Sequence, residues 1–307
     1  MNEKVSVLQV DNLSVSFSMY NKGLSKRDLE VIHELSIDVK KGEIVAVVGS
    51  SGSGKSLLAH AIMGILPENS KTKGSIKYYN DELNEKYLRK VKGKDIEFIP
   101  QSVDFLDPLM KVGKQVVGIN GNKERQKEVF KKYNLDDKVA EMYPFQLSGG
   151  MARRVLIATA VMNEAKLIIA DEPTPGLNLE LAMETLNNFR EIADSGCGVL
   201  LITHDVDLAL NVADRIAVFY SGTIVEIAQV EDFIKGKDAL RHPYSKAFID
   251  ALPQNKFKEL PGYQPYAGNL PKGCLFRDRC SLKTDECCME IKMRKVRDGE
   301  VRCINAT

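Results

Sequence analysis

The chain has 307 residues, which is long enough for about two folding units and a sizeable buried core. With 43 Lys+Arg against 42 Asp+Glu the net charge is +1, so overall charge gives no footing for a nucleic-acid backbone, and no nucleic-acid partner is expected. Hydrophobic residues at 44% and charged residues at 28% fit an ordinary soluble globular protein and exclude the disordered class. No stretch approaches the roughly 18 apolar residues of a membrane span. Residues 1–17 carry Glu3 and Asp11 and alternate polar with apolar residues, unlike a signal peptide. A cytoplasmic setting is therefore expected, where a disulfide framework is disfavoured. The cysteines are lopsided: Cys274, Cys280, Cys287, Cys288 and Cys303 crowd the end of the chain, and Cys197 stands alone in its body.

In chain order, alternation over 5–17 predicts strand, 18–30 an exposed hairpin or loop, and 32–39 strand again. Ile44-Val45-Ala46-Val47-Val48 is a β-branched run of the kind buried on both faces of a parallel sheet. Leu167-Ile168-Ile169-Ala170 and Val199-Leu200-Leu201-Ile202 have the same character, and each follows a segment of helical period. Strands alternating with helices imply right-handed crossovers and a sheet between helical layers. Over about 104–163 charged, helix-favouring sequence such as 122–133 takes over, which predicts an inserted helical subdomain. After about residue 235 the chain turns to Pro253, Pro261, Pro265, Pro271 and clustered Cys, and a separate appendage is expected. The expected division is 1–235 and 236–307.

Directly after the first buried run stands Gly49-Ser50-Ser51-Gly52-Ser53-Gly54-Lys55-Ser56, followed by an apolar helical run over 57–66. This is the P-loop pattern in its strand–loop–helix context. Its glycines let successive N–H groups face phosphate oxygens at a helix N-terminus. Lys55 would reach the β- and γ-phosphates of ATP, and the Ser56 hydroxyl would ligate Mg²⁺. The second buried run ends in Asp171-Glu172, where a sheet strand delivers two carboxylates to the ligand end of the sheet. Asp171 is placed to hold Mg²⁺ through water, and Glu172 to orient or deprotonate the water that attacks the γ-phosphate.

Leu147-Ser148-Gly149-Gly150-Met151 precedes another apolar helical run, and taken alone it reads equally as a serine helix cap with a glycine turn. Its order after the P-loop and before Asp-Glu-Pro-Thr resembles the signature motif in the nucleotide-binding subunits of ABC transporters. Gln101 in Ile99-Pro100-Gln101-Ser102 matches that family's Q-loop, residues 174–178 its D-loop, and His204 in Ile202-Thr203-His204-Asp205 its switch histidine. The resemblance implies an ABC ATPase fold, a P-loop NTPase α/β core with an antiparallel β subdomain. It implies two such subunits paired head to tail, with Ser148, Gly149 and Gly150 contacting ATP bound to the partner. It further implies that Gln101 senses Mg²⁺ and moves the helical subdomain, and that an aromatic residue stacks on adenine. Phe17 is the candidate for that role and Tyr20 the alternative.

The chain departs from the family at Asn178, where Asp is usual, which removes a charge near the subunit junction. Met151 stands where Gln is more general and resembles the oligopeptide, dipeptide and nickel import branch. Arg241-His242-Pro243-Tyr244-Ser245-Lys246-Ala247 and the run from Leu270 to Cys280 are also similar to the C-terminal region of that branch. There, four cysteines can hold a [4Fe–4S] cluster. By resemblance Cys274, Cys280, Cys287 and Cys303 are the ligands here and Cys288 is surplus, with zinc the alternative metal.

The expectation is an ATP-hydrolysing subunit of an importer for peptides or a nickel chelate, peripheral on the cytoplasmic face of the membrane. Its partners would be a second ATPase subunit forming a heterodimer, two transmembrane permeases and, indirectly, an extracellular solute-binding protein. A soluble ABC ATPase acting in assembly or repair is the alternative.

Overall fold

The computed structural model, which describes residues 5–20, 25–118, 122–252, 255 and 257–306, begins with two long antiparallel strands. These are β1 (Ser6–Tyr20) and β2 (Lys26–Lys40). Of the exposed hairpin or loop expected over 18–30, the described residues form the hairpin, Ser18, Met19 and Tyr20 pairing with Asp28, Arg27 and Lys26. Both faces of this end of the ribbon are largely exposed, so no buried face imposed an alternating pattern for sequence reading to find.

The chain continues through β3 (Ile44–Val48), α1 (Lys55–Ile62), β4 (Ser70–Tyr78), β5 (Asp81–Glu82), α2 (Glu85–Val91) and β6 (Ile96–Ile99). The helical region expected over 104–163 holds α3 (Val112–Val117), α4 (Lys123–Lys132) and α5 (Gly149–Val161). Asn122 starts α4 by accepting from the Arg125 amide at 2.7 Å, a side-chain cap of the type that satisfies a first-turn donor. Then come β7 (Leu167–Asp171), α6 (Leu179–Asp194), β8 (Gly198–Thr203), α7 (Val206–Leu210), β9 (Arg215–Tyr220) and β10 (Thr223–Gln229). The final part contains α8 (Val230–Lys235), α9 (Pro243–Asp250), β11 (Arg294–Val296) and β12 (Gly299–Val301). Among the described residues no helix is long and apolar enough to cross a membrane.

The strands form a four-stranded antiparallel sheet, β2-β1-β4-β5, and an eight-stranded mixed sheet, β11-β12-β10-β9-β3-β8-β7-β6. Within the larger sheet β6, β7, β8, β3 and β9 run parallel. Every residue of β3, β7 and β8 is buried, as the continuous apolar runs require. Their alternation separates two cores. Ile44, Ala46 and Val48 face helix residues such as Leu156 and Leu186, while Val45 and Val47 face Val7 of β1 and Leu58 of α1.

The C-terminal region does not stand apart from this body. Strand β12 pairs with β10, Glu226 opposite Val301, so the tail supplies the last two strands of the main sheet. A buried ionic knot fastens it. The Arg241 and His242 amides each donate to Glu226 at 2.8 Å, and the Arg241 guanidinium donates to Glu226 at 3.3 Å, to Asp232 at 2.8 Å and to the Val296 carbonyl at 2.6 Å. Breaking such a pair leaves an uncompensated buried charge. Arg241→Ala is therefore expected to cost about 3–5 kcal/mol and to lower the urea midpoint sharply; a midpoint equal to that of the unsubstituted chain would contradict the account.

Glu97 in β6 behaves differently. Burial raises its carboxyl to about 7 from 4.5, against the opposing effect of Asn163, whose side-chain amide donates to it at 2.8 Å. The folded pKa lies above the unfolded one, so the group's contribution is most favourable below about 4.5 and is lost as pH rises through about 7. Stability relative to Glu97→Gln should accordingly fall by an amount on the order of 2–3 kcal/mol between those pH values. Denaturant titrations of both proteins across that range check it, and parallel curves would refute it.

Candidate nucleotide site

Four motifs leave the sheet at the carboxyl ends of its parallel strands. The P-loop follows β3, Pro100-Gln101 follows β6, Asp171-Glu172 closes β7, and Thr203-His204 ends β8. Strand β8 lies between β3 and β7, so the P-loop and the acidic pair are separated by one strand and meet above it.

The loop's shape depends on close approach. A Cβ on Gly49 would stand 2.4 Å from the carbonyl oxygen of Phe219 in β9, so the backbone can pass only without a side chain. Gly54 at φ +103 lies in the region that favours glycine, and it turns the chain into α1. Lys55 is buried, and its Nζ donates to the carbonyls of Gly49 at 2.9 Å and Ser50 at 3.0 Å. Burial lowers the pKa of this ammonium, while Glu172 and Asp171 act to raise it. The Ser56 hydroxyl donates to Asp171 at 3.1 Å, which brings together the two groups expected at Mg²⁺. Burial raises the Asp171 pKa despite the Ser56 hydrogen bond, and the neighbouring Glu172 charge raises it further. A cation in front of Ser56 and Asp171 would offset that repulsion, so the donor set fits a hard, oxygen-ligated ion. Ser53 Oγ is buried with no partner among the described residues, a free hydroxyl in a loop suited to phosphate.

Glu172 is buried and adopts φ +48, with its amide donating to the Ile202 carbonyl at 2.8 Å. Its side chain meets His204, whose Nδ1 lies 2.8 Å from Oε2. Because a carboxylate only accepts, the imidazole donates through Nδ1 and keeps Nε2 for another partner. The pair thus brings a base and an orienting group into contact above β7 and β8.

Ser148 caps α5 by accepting from the Met151 amide at 3.3 Å, and with Gly149 it is exposed. Asn178 caps α6, accepting from the Leu181 amide at 2.9 Å. An amide oxygen performs the local capping task that Asp would, without the charge. Gln101 is exposed, and its backbone is gripped by a residue that sequence reading did not single out. Arg153, 6% exposed in α5, donates to the carbonyls of Pro100 at 2.8 Å and of Gln101. Asp171 and Glu172 both act on its charge. Arg153 therefore joins the signature helix, the Q-loop and the acidic pair; the only sequence signal was Arg153-Arg154 following the signature. Phe17 is half-buried against the β1 core, whereas Tyr20 is 69% exposed with Lys26 5.2 Å from its ring centre. Of the two rings expected for adenine, Tyr20 is the accessible one.

In the tail, the thiol pKa of Cys274 is pushed up to about 11, first by burial and also by the nearness of Cys303, Cys280 and Cys287. Cys280 accepts from the Leu282 amide at 3.4 Å, and Cys287 from the Thr284 amide at 3.5 Å. Cys288 is exposed and accepts from Arg277 at 3.1 Å. Among the described residues no three His, Cys, Asp or Glu side chains come together as a metal site would need, so the four cysteines expected as ligands are not gathered into one.

Comparison with known proteins agrees with this geometry. Residues 32–175 match the family described as ABC transporter, and residues 225–287 match the oligopeptide/dipeptide transporter C-terminal region. The dipeptide transport ATP-binding protein DppD of Haemophilus influenzae is 32% identical, over 97% of this chain and 95% of the relative. The Bacillus subtilis protein of the same name is 34% identical, over 92% of this chain and 88% of the relative. The dimeric structure of MJ0796, a bacterial ABC transporter cassette, superposes with a TM-score of 0.64 at 26% identity, covering 73% of this chain and 98% of that one. This chain belongs to the ATP-binding subunits of ABC transporters, in the branch that carries the oligopeptide/dipeptide transporter C-terminal region.

Proposed function

We propose that the chain is the ATP-hydrolysing subunit of an ABC importer for peptides. The observation that carries this reading is the meeting of Ser56 with Asp171 and of Glu172 with His204 at one end of the parallel sheet, in a chain whose C-terminal region matches that of peptide transporters. Residues Gly49 to Ser56 bind the phosphates of ATP through backbone N–H groups and Lys55. Ser56, Asp171 and, through its side chain, Gln101 would hold Mg²⁺, which would supply charge neutralisation for the phosphates. Glu172 takes the proton of the attacking water, and His204, donating through Nδ1, orients Glu172 for that step. Ser148, Gly149 and Gly150 complete the site of a second ATPase subunit, so that each closed pair traps nucleotide between P-loop and signature. Arg153 passes the movement of the Q-loop to the helical subdomain.

In this reading residues 1–235 form the ATPase domain, with the helical subdomain over 104–163, and 236–307 the extension that completes the sheet. The subunit is peripheral at the cytoplasmic face of two permeases, in a heterodimer, with a solute-binding protein delivering cargo. The dipeptide names of the relatives support peptide over nickel as that cargo. Cys274, Cys280, Cys287 and Cys303 would hold a [4Fe–4S] cluster; the support is the nearness of the other three thiols to Cys274 and the amide-to-sulfur hydrogen bonds at Cys280 and Cys287.

Glu172→Gln should reduce ATPase activity of the assembled complex by about 10²–10⁴-fold while MgATP binding persists. Undiminished turnover would refute the assigned base. After anaerobic purification the chain should be brown, with iron and acid-labile sulfide in equal amounts, and Cys280→Ser should bleach it. A colourless preparation without iron would remove the cluster.

A further inference from the structure

The P-loop touches a part of the chain 214 residues away. The Ser50 hydroxyl donates to Gln264 Oε1 at 3.1 Å. Gln264 lies in the C-terminal region, which also holds a buried aromatic group. Tyr244 is 3% exposed in α9, with its ring centre 4.4 Å from that of Tyr220 and 5.3 Å from that of Phe276. Gln264 sits in a segment, residues 260–268, that is tied down along its length. Arg279 donates to the carbonyls of Leu260 at 3.0 Å and Pro261 at 2.9 Å, and stands 6.0 Å and 5.9 Å from the ring centres of Tyr220 and Phe276. Ser221 donates to the Pro265 carbonyl at 3.4 Å, and Arg27 of β2 donates to the Tyr266 hydroxyl at 3.3 Å. The segment runs past the P-loop as a strap fastened to the end of β9, to β2 and to the cysteine-bearing tail.

We propose that this strap presets the P-loop for the triphosphate by fixing Ser50, which makes Gln264 a positioning residue for nucleotide affinity. A glycine-rich loop has much conformational freedom to lose when it closes round phosphates. Hydrogen bonds formed beforehand transfer part of that entropy loss from binding to folding, so nucleotide meets a loop already shaped for it. Among the described residues the strap's hydrogen bonds reach Ser50 and not the Glu172–His204 pair. Its effect therefore falls equally on ground state and transition state, and appears in KM rather than in kcat.

The inference rests on the P-loop's being the ATP site, and the experiment separates the two ideas. MgATP binding and steady-state hydrolysis are measured on the assembled complex carrying the unsubstituted chain, Gln264→Ala, Ser50→Ala or both. Loss of one hydrogen bond predicts about a two- to tenfold rise in Kd and KM for Gln264→Ala, with kcat within about twofold. Because Gln264 acts through Ser50, the substitution should add nothing when Ser50 is already Ala. Unchanged affinity in Gln264→Ala, a loss that persists in the Ser50→Ala background, or a fall in kcat alone overturns the strap. Failure of the unsubstituted complex to bind MgATP overturns the nucleotide site itself.

Discussion

Strand β3 is hydrogen-bonded in parallel to β8 on one side and β9 on the other, and the rest of the molecule depends on that arrangement. A strand buried on both faces can carry no polar side chain along its length, so the first polar chemistry it offers is at its end. Parallel neighbours place their ends at the same edge, and the motifs following β3, β6, β7 and β8 are gathered there. The closeness of Gly49 to the Phe219 carbonyl is the local form of the same constraint: the nucleotide loop turns directly against the neighbouring strand, where only glycine fits.

The electrostatics of that edge are in tension without a ligand set to balance them. Lys55 is lowered by burial and raised by two carboxylates, Asp171 is raised by burial and by Glu172, and Arg153 feels both acids from the side of the signature helix. Opposing charges packed under low dielectric make the site responsive to polyphosphate and a divalent ion, because both change which groups are compensated. Arg153 adds a mechanical element, since one guanidinium joins the Q-loop backbone to the start of α5. A shift of either element moves the other.

The C-terminal region is part of this machine. It supplies β11 and β12 to the main sheet, and it is locked to β10 through Glu226 and Arg241. Through Gln264 it reaches the P-loop. The aromatic group of Tyr220, Tyr244 and Phe276, with Arg279 over two of its rings, ties the run between Cys274 and Cys280 to the end of β9. Order in the tail and order at the nucleotide loop are thereby linked through packed rings and short hydrogen bonds.

Features carried by contiguous residues were legible from the sequence alone. Continuous β-branched runs mark strands buried on both faces, glycine spacing marks the phosphate loop, and Asp171-Glu172 and His204 mark strand ends, because each follows from local stereochemistry and the solvent preference of neighbouring side chains. What only the tertiary structure decided are contacts between distant segments. The pairing of Ser18, Met19 and Tyr20 with Asp28, Arg27 and Lys26 is set by a partner strand rather than by a buried face, and β12 finds β10 from more than sixty positions away in the chain. Arg153 and Gln264 look like ordinary polar residues until the fold brings the Pro100 carbonyl and Ser50 within hydrogen-bond reach. Local pattern reports which residues prefer burial or a turn; which polar group meets which depends on chain paths that close only when the whole sheet assembles.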